Sequence, residues 1–191
     1  MVHDQLIRGH FARAYRDRYV VVANIDGQML VCDGFAILKV EPDHDVFDSR
    51  AQFPRLPAMG EAIRYATDGT SSPYDIGRVR KVWDMALAKS LYVAKATKWL
   101  YEVPLSMSGV ARAIERTDGS IVLVDRALTN LVSNDPTSIT EYWRWRCGGD
   151  GDPVIVLDKE DDALIAVIMP IDMRMTGIPQ LLPVIDPSVP S

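Results

Sequence analysis

Arg18-Tyr-Val-Val-Val-Ala-Asn-Ile-Asp-Gly27 and the segment after it, Gln28-Met-Leu-Val-Cys-Asp-Gly34, decide the fold class. The first is a β-branched run and the second an apolar one, and each ends in Asp-Gly, a pair that tolerates the positive φ angles of a tight hairpin turn. A third apolar run, Phe35 to Val40, comes next. Three such runs joined by two short turns predict an antiparallel meander over residues 18 to 41.

Working outward, residues 4 to 16 place Ile7, Phe11 and Ala14 or Tyr15 at three- and four-residue intervals, which predicts an amphipathic helix ahead of the meander. A matching plan recurs later. Strands are expected at Ala111 to Arg116 and Ser120 to Val124, around a turn at Asp118-Gly119. A short helix from about Arg126 to Ser133 follows, with Asp125 as its N-cap, then three strands at Tyr142 to Cys147, Pro153 to Leu157 and Ala163 to Ile171. Between Glu41 and Ser108, Pro42, Pro54, Pro57, Gly60, Gly69 and Pro73 break the pattern, so residues 42–108 read as an insertion. Inside it a helix is expected over 76 to 90, on the stripe Ile76, Val79, Val82, Trp83, Ala86 and Leu87, while residues 91 to 103 fit helix or strand, with strand preferred at the end. The expected fold class is α+β: two helix-plus-antiparallel-meander halves packed as one domain over 1–175, with an inserted helical and loop region and an extended, proline-rich tail over 176–191.

The phrases Tyr19 to Val40, with its Asp-Gly turn, and Asp162-Ala-Leu-Ile-Ala-Val-Ile-Met-Pro-Ile-Asp-Met173 resemble strands of the sliding-clamp fold. The nearest type is the short clamp-like proteins of phages and mobile elements related to the DNA polymerase III beta subunit. They cover about a third of the chain. The resemblance implies a non-enzymatic accessory factor acting on DNA replication or on a host nucleoprotein complex. A clamp ring needs six such domains, so it also implies a homo-oligomer if DNA is encircled. Segment Pro179-Gln180-Leu181-Leu182-Pro183 resembles the glutamine-leucine peptides that dock in clamp pockets, which makes Gln180, Leu181 and Leu182 a candidate interaction tail.

Net charge is -5 from 21 basic and 26 acidic residues, which argues against unselective coating of nucleic acid. Local patches must carry any electrostatic role. Arg8, Arg13 and Arg16 mark the first helix. Arg78, Arg80, Lys81, Lys89, Lys95 and Lys98, interleaved with Trp83, Tyr92 and Trp99, form the best candidate surface for an acidic partner or nucleic acid. Trp143 and Trp145, two residues apart on a strand, read as core.

Catalysis has less to rest on. Asp43, His44, Asp45 and Asp48, beside Glu41, mix hard oxygen donors with one imidazole, the chemistry a divalent ion takes, but without EF-hand or HExxH spacing. A metal-dependent nuclease or phosphoesterase at that loop is therefore an alternative reading. Gly148-Gly149-Asp150-Gly151 lacks the GKS/T of a phosphate loop, GxSxG is absent, and Cys32 and Cys147 are far apart with no CxxC pairing. The expectation is a cytoplasmic, non-enzymatic protein with no cofactor and no membrane span. It would bind a protein partner, with DNA contact left open, and inhibition of a host defence complex through the basic helix or the tail is a further alternative.

Overall fold

The computed structural model describes residues 8, 11, 19–48, 52–88, 92–103, 106, 108–130, 143–149, 151–172 and 184–185. The chain divides into two compact units, Met1–Ala88 and Lys89–Ser191.

The first unit is an antiparallel sheet. The strands β1 (Tyr19–Ile25), β2 (Gln28–Cys32) and β3 (Ala36–Val40) form the expected meander, with Val22 opposite Val31 and Met29 opposite Val40. Asp26 and Gly27 have φ of 53° and 86°, the two positive values that a type I′ hairpin needs. At the next turn the Asp33 carboxylate accepts from the amides of Phe35 and Ala36, both at 2.8 Å. The sheet continues past β1 through β4 (Ala62–Ala66) to β5 (Ser71–Pro73), giving the order β5-β4-β1-β2-β3. Helix α1 (Ile76–Ala88) follows; Val79, Trp83 and Ala86 are buried while Leu87, expected on the same stripe, is exposed.

The second unit is also antiparallel, in the order β11-β10-β9-β6-β7-β8. Its strands are β6 (Tyr92–Glu102), β7 (Val110–Arg116), β8 (Ile121–Asp125), β9 (Trp143–Cys147), β10 (Val154–Asp158) and β11 (Leu164–Ile168). A four-residue helix, α2 (Arg126–Thr129), leaves β8 with Asp125 as its N-cap, the carboxylate accepting from the Ala127 amide at 2.8 Å. The two-residue β12 (Val184–Ile185) lies on β6. Trp143 and Trp145 are buried, and a cluster of Val103, Ala111, Ala113 and Leu123 packs with Tyr101 and Ile171.

This architecture overturns the expected α+β class. The described residues hold twelve strands and two α-helices described along their whole length, one of them a single turn, so the fold is β-rich, not two helix-plus-meander halves. Both meanders form, but each is one part of a wider sheet. The supposed insertion supplies β4 and β5, which extend the sheet beyond β1, and β6, which joins β9 to β7. The physical reason is the edge: without β4 and β6, the outer backbone groups of β1 and β9 would go unpaired. Short apolar runs between prolines meet that demand better as strands than as a loop. Of the helix expected over 4 to 16, only Arg8 and Phe11 are described, both helical; residues 131–133 of the second expected helix lie outside the described residues.

Candidate functional site

β6 differs from the other long strands. On β1, five of seven residues are buried, whereas of the eleven on β6 only Ala96 and Leu100 are. Tyr92, Val93 and Trp99 are 51%, 55% and 41% exposed, and Lys95, Lys98 and Glu102 also face solvent.

The local cause is a bulge. Ala96 pairs with Ile114 and Leu100 with Arg112, so β6 advances four residues (96 to 100) while β7 advances two (114 to 112). Two extra residues preserve the alternation of faces, so Ala96 and Leu100 stay in the core while Lys98 and Trp99 are pushed out. Thr97 fixes the distortion. Its hydroxyl donates to the Ala113 carbonyl at 2.9 Å and accepts from the Trp99 amide at 3.2 Å, and its carbonyl accepts from the guanidinium of the fully buried Arg112 at 2.8 Å.

The outer edge of β6 is shared. β7 takes one edge from Ala94 to Glu102; on the other, among the described residues, β9 pairs with Tyr92 to Ala94 and β12 with Trp99 and Leu100. Among the described residues no strand covers 95–98 on that side. Nearby, the Arg116 guanidinium sits 5.7 Å from the centre of the Tyr92 ring. An open groove of about 280 Å³ lies between the start of β6 and the β7–β8 turn, lined by Val93, Ala94, Lys95, Glu115, Arg116, Thr117 and Gly119. It is small and open for a ligand pocket, and its Lys95 and Glu115 neutralise each other at 2.9 Å.

The expected basic surface is divided. Arg78, Arg80 and Lys81 are on α1 in the first unit, Lys95 and Lys98 on β6 in the second, and Trp83, expected among them, is buried. Several of these cations face carboxylates. Arg80 holds Asp26 through two nitrogens at 3.0 Å each, which keeps the Asp26 carboxyl below its ordinary value. Arg78 lies 3.7 Å from Asp75, and Arg8 pairs with Asp45. Lys81 and Lys98 are exposed and have no ion pair among the described residues. Arg13, Arg16 and Lys89 lie outside the described residues, as do Gln180, Leu181 and Leu182.

The acidic loop has other work. His44 caps the 3-10 turn Asp45–Phe47, its Nδ1 accepting from the Val46 amide at 3.1 Å, so that lone pair is occupied. Asp43, Asp45 and Asp48 are exposed, and among the described residues no three His, Cys, Asp or Glu side chains come together to hold a metal ion. Phe47 anchors the loop in an aromatic cluster with Phe11, Phe53 and Tyr65. Burial pushes the thiols of Cys32 and Cys147 up to about 11, far from the thiolate a nucleophile needs at neutral pH.

Sequence reading names Tyr92, Lys95, Lys98 and Trp99, all on β6, but neither the bulge nor β12. No helix among the described residues is long and apolar enough to cross a membrane. No family model, curated protein or solved structure matches the chain.

Proposed function

We propose that this chain is a non-enzymatic binding protein that holds a protein partner on β6. The observation that carries the reading is the exposure of that strand, where Tyr92, Val93 and Trp99 stand in solvent beside Lys98. Exposed aromatics cost hydration in the free protein, and at interfaces such residues supply large, rigid contact area. A protein partner is favoured over nucleic acid because Arg8, Arg78, Arg80 and Lys95 already face carboxylates, leaving little positive charge for a phosphate backbone. The resemblance of Tyr19 to Val40 and Asp162 to Met173 to sliding-clamp strands supports a setting in DNA replication or in a host nucleoprotein complex, as accessory factor or inhibitor.

Affinity capture from the cells that make the protein tests this reading. Trp99→Ala combined with Lys98→Glu is expected to weaken retention of the captured protein by about tenfold or more, the effect of losing one strong anchor. The reversal Arg78→Glu with Lys81→Glu on α1 is expected to leave retention unchanged. The opposite pattern, or a capture abolished by nuclease, contradicts the proposal.

A further inference from the structure

We infer that the outer edge of β6 at Trp99 and Leu100 is an acceptor slot for an extended peptide with two adjacent β-branched aliphatic residues followed by a carboxylate, and that β12 is its internal occupant. The inference rests on the reading of β6 as the contact surface and names the class of partner.

The seated segment defines the slot. Val184 lies opposite Leu100 and Ile185 opposite Trp99, antiparallel. This is the pairing by which a peptide adds to a sheet edge, main-chain hydrogen bonds giving affinity and alternate side chains giving selectivity. The two pairs among the described residues make a short ladder beside the five between β1 and β2, so a peptide with a better fit can replace it.

The neighbours of the slot set the rest of the chemistry. Next to Trp99 on the strand is Lys98, which is exposed and without an ion pair among the described residues, so a peptide continuing past the Ile185 position would meet an ammonium. An acidic residue complements that ammonium. In the sequence the residue after Ile185 is Asp186, and Pro183 and Pro187 flank the trio. Proline favours extended backbone and cannot donate to a ladder, which limits a peptide of this sequence to a short pairing. On the strand side, the bulge and the lysines at 95 and 98 guard the open edge against unselective pairing, a common protection of exposed strands. What stays available is a short, specific slot.

The test uses the full chain and a fluorescein-labelled synthetic peptide copying residues 181–188. Fluorescence anisotropy is expected to show that a chain carrying Val184→Asp and Ile185→Pro, with its own β12 disabled, binds the peptide at least about tenfold more tightly than the unaltered chain. Internal competition from a tethered segment has that consequence. In the same background Lys98→Glu is expected to reverse the gain, and a peptide with Asp186→Lys to bind the Lys98→Glu chain better than the original peptide does. Far-UV circular dichroism identical to that of the unaltered chain excludes misfolding as the cause. Equal affinity of the two chains, or indifference to Lys98→Glu, overturns the slot. So does a concentration-dependent dimer lost in the Val184→Asp, Ile185→Pro chain, which assigns the edge to exchange between copies. If the peptide is ignored while Trp99→Ala with Lys98→Glu still releases the captured protein, the slot fails and the β6 surface stands.

Discussion

Phe53→Ala is expected to destabilise the first unit by about 3–5 kcal/mol, the range for truncating a well-packed aromatic. Phe53 is 3% exposed and meets three rings edge-on: Phe11 at 5.5 Å, Phe47 at 5.6 Å and Tyr65 at 4.9 Å between centroids. Tyr65 comes from β4, where its hydroxyl donates to the Arg55 carbonyl and burial raises the phenol to about 12. Removing the central ring opens a void that three aromatics cannot collapse to fill, and it frees the 3-10 turn that carries His44 and Asp45. Urea unfolding followed by the fluorescence of a chain that keeps Trp83 and carries Phe at 99, 143 and 145 reads the loss as a lower midpoint. A shift of less than 1 kcal/mol contradicts the anchoring role. Asp43→Asn and Asp48→Asn, at exposed positions of the same loop, are expected to leave the midpoint in place.

Arg112→Ala is expected to cost the second unit about 2–4 kcal/mol, combining a half-buried carbonyl left without its donor with the volume of a large side chain. Arg112 is 1% exposed, and its guanidinium reaches the Thr97 carbonyl inside the β6 bulge. Loss of that bond should also release Trp99, so that acrylamide quenching of its fluorescence changes. Trp99 is a clean reporter because the other three tryptophans, at 83, 143 and 145, are buried. Arg112→Lys, shorter and without the planar fork, is expected to recover only part of the loss. Full stability in Arg112→Ala contradicts the role assigned to the bulge.

The contrast between these two sites shows what was legible in the sequence. The meander over 19 to 40 was readable because Asp26-Gly27 and Asp33-Gly34 are local turn signals, and the backbone there takes the φ values those residues permit. Helix α1 was readable from the spacing of Val79, Trp83 and Ala86. The sheet beyond them was not, because pairing of β4 with β1 and of β6 with β9 is set by distant edges, and prolines at 42, 54 and 57 mask the strand pattern that follows. Nor could periodicity find the β6 bulge: Ala96 and Leu100 keep the same face across the two extra residues, so the apolar alternation carries no mark of it. Lys98 and Trp99 were therefore named from composition, while the pairing of Trp99 and Leu100 with Ile185 and Val184 came from the fold.

Photo-crosslinking from chosen positions tests the central claim most directly, because it asks which surface touches another protein in the cell. A photoreactive amino acid placed at Lys98 on β6 is expected to give a covalent adduct with a second protein, and the same group at Lys81 on α1 is expected to give none. An adduct from position 81 with none from position 98 would contradict the assignment of β6 as the binding surface.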